Sequence, residues 1–278
     1  IVWIEKDRKL YGLNASGRAP YDWNLESAAA LGLTSIPRVS PLSWNVPGCV
    51  SGWGALNSRF GKLKLSQCLE SSIDYAVNGF PLSPIISTYF EFDAKQAPSL
   101  ARVFHPGGQR PSYGDVFRNP MLANSYRLIA EGGPEAFYQG EIAERIVAAS
   151  DRLGGKMSLR DLKEHTATWV DPVSSNYRGW DVWEIPPNGQ GIAALQILNM
   201  LEHFDIGGLQ PNSAEHLHLF VEAKKLAFED RAQYYADVEF VFVDGQVFTG
   251  GIEEHVFGID DTRHRDTATG VYGDLGGD

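Results

Sequence analysis

Val173-Ser174-Ser175-Asn176-Tyr177-Arg178-Gly179-Trp180-Asp181-Val182-Trp183-Glu184-Ile185 decides how the rest of the chain is read. Its β-branched and aromatic residues, split at Arg178-Gly179, predict a pair of strands. Pro186-Pro187 stops the second strand, and Ile192 to His203 then carries the spacing of a short helix. Upstream, Gly140 to Leu153 closes on Gly154-Gly155 as a helix, and Ser158-Leu159-Arg160-Asp161 has the start of a capping box. Downstream, Ser213 caps a long helix reaching roughly Ala236, with Leu217, Phe220, Val221, Lys224, Phe228 and Arg231 at helical spacing. That stripe is expected to be buried until Lys224 and Arg231 leave it.

At the other end, Ile1 to Ile4 and Lys9 to Leu13 read as two strands across a turn at Glu5 to Arg8. Pro37, Pro41 and Pro47 punctuate an irregular stretch that ends in Val46-Pro47-Gly48-Cys49-Val50-Ser51-Gly52-Trp53. Ser66 is expected to cap a helix with Leu65, Leu69, Ile73, Ala76 and Val77 on one face, ended by Asn78-Gly79. Prolines 84, 98, 106 and 111 exclude long elements between Pro81 and Pro120, and Asn119-Pro120 opens a further helix that runs to Gly132-Gly133. Glycines crowd a polar tail, residues 245–278, which reads as loop. With no repeat and no linker, helices and strands alternate along one domain, 1–278, of the α/β or α+β class.

Composition narrows the function classes. The 278 residues are 43% hydrophobic and carry a net charge of −11, which excludes disorder, collagen and coiled coil. No Lys/Arg-rich run offers a phosphate-backbone footprint, so no nucleic-acid partner is expected. No apolar run approaches the roughly 20 residues of a membrane span. The segment Ile1 to Arg8 lacks the features of a signal peptide, so a cytoplasmic location is expected, or a periplasmic or secreted one if a leader has been removed. Cys49 and Cys68 have no C-x-x-C spacing, which rules out a disulfide scaffold or four-cysteine zinc site from this chain, and both read as small buried hydrophobes.

Chemical motifs are sparse. His216 and His218 point to different sides of a helix, Glu253-Glu254 and Asp260-Asp261 lack calcium-loop spacing, and no metal or cofactor is expected. There is no G-x-S-x-G, no Walker loop and no H-E-x-x-H. Gly189-Gln190-Gly191-Ile192-Ala193-Ala194 matches a dinucleotide fingerprint in spacing, but Pro186-Pro187 disrupts the tight turn, and Glu202 and Asp205 come too early for a ribose-binding acid. Arg18, in Asn14-Ala15-Ser16-Gly17-Arg18-Ala19-Pro20, is a lone arginine on a glycine-supported loop after a strand; it suits a carboxylate, or is a surface arginine.

Several segments together resemble one family. Asn14 to Pro20, Val46 to Trp53 with Arg59-Phe60-Gly61, Ala136-Phe137-Tyr138-Gln139-Gly140-Glu141-Ile142-Ala143, Tyr177 to Trp180, and Ile185-Pro186-Pro187 with Gly191 are similar to the large subunit of γ-glutamyltranspeptidases. So are Gln196 to Glu202 and Glu222 to Arg231; the resemblance runs in order from roughly Tyr11 to Val243. It implies an α+β, four-layer αββα sandwich of the N-terminal-nucleophile hydrolase type, completed by a separate small subunit cut from the same proenzyme. In that family a new N-terminal threonine attacks an amide carbonyl, with its own α-amine as base, and the acyl-enzyme passes to water or to an amine.

The resemblance therefore places no catalytic residue in this chain. It implies a processing junction at Gly277-Asp278 with the threonine next, a small-molecule amide as substrate, and a small-subunit partner, with a dimer of such heterodimers allowed. Substrate-binding candidates are Arg18, Ser16 and Asn14. True transpeptidases carry an arginine just before an Ala-Pro pair, in an Arg-Glu-x-Ala-Pro pattern; Ser16 takes its place here and Arg18 follows two residues later. That departure resembles the cephalosporin acylase and oxamate amidohydrolase branch, which favours hydrolysis over transfer. The expected substrate is a small amide bearing a carboxylate on its acyl part; within the enzyme class glutathione hydrolysis or transfer competes with oxamate-type or glutaryl-amide hydrolysis, and outside it stand a dinucleotide-binding module or an inactive scaffold.

Overall fold

The computed structural model describes residues 1–235 except 38–39, 93 and 96–97, together with the backbone of 241–243 and 246–248. Along the chain come β1 (Val2–Ile4), β2 (Lys9–Asn14), α1 (Leu25–Ala30), α2 (Cys49–Phe60), α3 (Leu65–Asn78), β3 (Phe80–Pro81), α4 (Pro84–Thr88) and α5 (Pro98–Phe104). They are followed by β4 (Val116–Phe117), α6 (Pro120–Tyr138), α7 (Glu141–Leu153), α8 (Leu159–Lys163) and β5 (Thr168–Val170). The last are β6 (Val173–Tyr177), β7 (Trp180–Glu184), α9 (Gly191–Leu201), α10 (Ala214–Tyr234), β8 (Val241–Val243) and β9 (Gln246–Phe248). These elements form two compact units: residues 1–14 with 169–278, and residues 15–168.

The first unit holds a sheet of order β1-β2-β5, in which β1 and β2 run antiparallel with Trp3 opposite Leu10, as the turn at Glu5 to Arg8 requires. The β6–β7 hairpin pairs Tyr177 with Trp180. Its two turn residues, Arg178 at φ 53 and Gly179 at φ 88, take the left-handed backbone that matches the twist of a two-residue hairpin. The Arg178 side chain then ties the turn to the end of α9, donating from Nη2 to the Phe204 carbonyl at 2.7 Å. Because this hairpin precedes α9, the Gly189–Ala194 spacing does not sit in a parallel strand-helix-strand unit, and the dinucleotide reading loses its structural context.

The long helix α10 corrects the sequence reading. Leu217, Phe220 and Val221, placed on its buried stripe, are exposed, whereas Ala223 and Ala227 are the residues that go inward. Small side chains let α9 and α10 approach closely, and Gln196 on α9 donates to Asp230 on α10 at 3.0 Å. The helix carries apolar residues on two sides, and the side that faces the interior is the one made of small residues. Of the tail 245–278, only the backbone of 246–248 lies among the described residues, and it pairs as β9 with β8.

The second unit is built around Val46, Val50, Leu69, Ile129, Tyr138, Ala143, Met157 and Leu162. Each fully buried aliphatic side chain there contributes about 1.5–3 kcal/mol relative to exposure. Asn119 caps α6 by accepting from the Leu122 amide, and Gly133 at φ 67 with Pro134 breaks that helix near where the sequence ends it. Ser158 and Asp161 form the expected capping box of α8. Two expectations fail here. The N-cap of α3 is Lys64, whose amide donates to Gln67 Oε1, so Ser66 lies inside the first turn. Cys49 and Cys68 are both exposed, because the inward sides of α2 and α3 are taken by Val50, Leu69 and Ala76. No described helix is long and apolar enough to cross a membrane.

Candidate functional site

Arg18 reaches solvent from a loop that is fixed through its backbone. The Val46 amide donates to the Arg18 carbonyl at 3.0 Å. Gly17 lies so close to Val46 that a Cβ there would overlap the Val46 carbonyl oxygen, and a Cβ at Gly48 would overlap the Ala15 carbonyl oxygen. Glycine is required at both places by close approach, not by unusual φ. The Ala15–Arg18 loop is therefore laid against Val46-Pro47-Gly48, and the Arg18 side chain leaves it into water.

The support extends into the core of the same unit. Gly48 is the N-cap of α2, and a Cβ on it would also come within 2.9 Å of His165 Nε2. The Tyr138 hydroxyl donates to the Pro47 carbonyl at 2.7 Å and accepts from the Ser51 amide at 3.0 Å. Burial pushes that hydroxyl's pKa up to about 12, so it stays protonated and keeps donating. Ser51 Oγ accepts from the Ala167 amide at 2.7 Å, which holds the chain just after His165. His165 is 8% exposed, and neither ring nitrogen has a hydrogen-bond partner among the described residues. Burial first, and the Arg18 charge second, hold its pKa below the ordinary imidazole range.

The other predicted residues fall as follows. Ser16 lies exposed on the Arg18 loop. Asn14 ends β2 in the first unit, where its Nδ2 donates to Asn188 Oδ1 at 3.2 Å in the turn that leads into α9. Gly277 and Asp278 lie outside the described residues. His216 caps into Ser213 through its amide while His218 faces Glu222, and no group of three metal-ligating side chains occurs among the described residues. Sequence reasoning missed Tyr138, Ser51, His165 and Asn188. Tyr138 and Ser51 stood in segments quoted for the family resemblance, but nothing local marked His165.

A separate open cavity of about 440 Å³ lies between the Trp44–Pro47 segment, α6 and α7, floored by Leu128, Ile142, Ile146 and Met157. Arg18, Ser16 and Asn14 do not line it.

The sequence matches the Gamma-glutamyltranspeptidase family over residues 1–260, and the chain belongs to that family. It is 38% identical over 231 residues, 82% of this chain and 44% of the relative, to the glutathione hydrolase-like YwrD proenzyme of Bacillus subtilis (strain 168). Its fold is similar to the cephalosporin acylase from Bacillus halodurans, with a TM-score of 0.77 and 34% identity, covering 88% of this chain and 47% of that one. It is also similar to the Helicobacter pylori γ-glutamyltranspeptidase, with a TM-score of 0.77 and 27% identity, covering 88% of this chain and 72% of that one. Helices and strands are mixed here as in those folds. The chain spans less than half the length of the Bacillus subtilis relative.

Proposed function

We propose that this chain is the large-subunit part of an autoprocessed amide hydrolase whose substrate bears a carboxylate on its acyl side, with Arg18 as the cation that holds that carboxylate. The observation that carries the reading is the backbone-clamped loop, which presents an otherwise exposed guanidinium from a fixed position. A planar fork held in place suits bidentate recognition of a carboxylate better than a lysine does. Ser16 offers a further polar group on the same loop. Asn14 acts within its own unit by holding the turn at Asn188.

In this reading the nucleophile is a threonine at the new N-terminus of the small subunit, freed when the proenzyme is cut. Its hydroxyl oxygen attacks the amide carbon, its α-amine takes the hydroxyl proton, and the amine leaves protonated; water then cleaves the ester and regenerates the hydroxyl. The small subunit completes a four-layer sandwich. The exposed Leu217, Phe220 and Val221 of α10, and Trp180 at 78% exposure on β7, support a partner that covers the first unit. Names of relatives, a proenzyme and a cephalosporin acylase among them, support processing and hydrolysis.

The test is a substrate comparison on the processed enzyme. Hydrolysis of oxamate or of a glutaryl amide should exceed transfer from γ-glutamyl-p-nitroanilide to a dipeptide; dominant transfer would return the assignment to the glutathione side of the family. Mass spectrometry of the proenzyme and its products checks the processing, and a small subunit that begins with a residue other than threonine, serine or cysteine contradicts it.

A further inference from the structure

We propose that His165 is a positioning residue for Arg18: its uncharged imidazole, packed at Gly48, holds the Ala15–Arg18 loop in the place from which Arg18 grips a substrate carboxylate. The inference rests on the carboxylate reading of Arg18. Its geometry is a chain of contacts through one glycine, since Gly48 leaves room for both the Ala15 carbonyl and His165 Nε2. Whatever moves the imidazole moves Gly48, and with it the loop.

Among the described residues, the groups around the ring offer a positive charge no partner. From the loop comes Arg18, itself a cation whose field acts against protonation. From α6 comes the Tyr138 ring at 5.6 Å, with its hydroxyl already committed to Pro47 and Ser51. From α2 come Gly48 and the neighbouring Cys49, whose side chain is exposed. On its own segment, Asp161 accepts from the Tyr21 amide and from Ser158, and Glu164 is paired with Arg160. A proton on His165 thus creates a buried cation under the field of another cation, with neither ring nitrogen hydrogen-bonded among the described residues. Relief requires the ring to leave its place, and the loop loses its support.

The expected signature is a binding defect on the acid side. With glutaryl-p-nitroanilide, KM should rise about tenfold as the pH falls from neutrality to below the ordinary imidazole range, since burial and Arg18 hold the folded pKa of His165 under that range, while kcat changes less. In His165→Phe, whose ring cannot ionise, the ratio of the two KM values should fall below about twofold. An unchanged ratio in His165→Phe overturns the inference.

Should that variant fail to fold, the unmodified enzyme decides by itself. The acid rise in KM should be present for glutaryl-p-nitroanilide and absent for its neutral amide analogue; an equal rise for both overturns the inference. Arg18→Ala, measured in parallel, separates the two levels. If it leaves KM unchanged, the carboxylate reading itself has failed. If it raises KM while His165→Phe keeps the acid rise, only the role of His165 is lost.

Discussion

The interiors of the two units are filled by side chains of different size. In the unit of residues 15–168, Val50, Leu69, Ile129, Met157 and Leu162 converge on one core, and the polar groups around it are joined through Tyr138 and Ser51. In the other unit, α10 turns Ala223 and Ala227 inward and leaves Leu217, Phe220 and Val221 exposed, and β7 leaves Trp180 and Trp183 exposed. Each leucine or phenylalanine left exposed forgoes about 1.5–3 kcal/mol of burial, which a covering partner would restore. The contrast is one of packing: large aliphatic side chains fill the core of residues 15–168, whereas alanines on α10 let it close against α9 in the other unit.

Substitutions can break that contrast. The largest effect is expected at Leu162, fully buried in the self-contained core: Leu162→Ala should cost about 2–5 kcal/mol in denaturant unfolding, through lost burial and the cavity left behind. Tyr138→Phe keeps the ring but leaves the Ser51 amide and the Pro47 carbonyl without their partner, so about 1–3 kcal/mol should be lost. Leu217→Ala, by contrast, should stay within about 0.5 kcal/mol in the 278-residue chain alone. In the processed enzyme the same substitution should cost at least about 1 kcal/mol more, because the face is then covered. Equal costs in both forms would remove the argument for a partner on α10.

The smallest effect expected is on stability against pH. The folded pKa of His165 lies below its unfolded value, so the unfolded chain binds the extra proton first as pH falls. Stability should therefore decline as pH drops through the ordinary imidazole range toward the folded value, and His165→Phe should flatten that decline. The opposite slope, with stability gained on acidification across that window, would contradict the burial of an uncharged ring.

Local chemistry carried most of the fold into the sequence. The Arg178-Gly179 turn, the Asn119 cap and the Ser158–Asp161 box are each decided by neighbours within a few residues, and the structure has them where the sequence puts them. The face of α10 was not legible, because size misleads when the close-packed side is made of alanines and the large residues are left outside. The α3 cap was not legible for a related reason: Lys64 uses its backbone amide with Gln67, so no side-chain preference marks it.

The candidate site divides the same way. Gly17 beside Arg18 suggested a supported loop, and the loop is supported, but by Val46 and Gly48, about thirty residues further along the chain. His165 gave no local signal at all, since its neighbours Gly48, Arg18 and Tyr138 come from three remote segments. Only the folded chain brings this imidazole, which has no hydrogen-bond partner among the described residues, under the influence of a guanidinium.

The claim on which the rest depends is that Arg18 recognises a carboxylate on the acyl part of the substrate. It is tested most directly by steady-state kinetics of Arg18→Ala against two amides that differ only in that carboxylate. The account predicts that KM rises at least about tenfold, or about 1.4 kcal/mol, for the carboxylate-bearing amide and stays within about twofold for the neutral one. A KM that is unchanged for the carboxylate-bearing amide, or that rises equally for both, would contradict it.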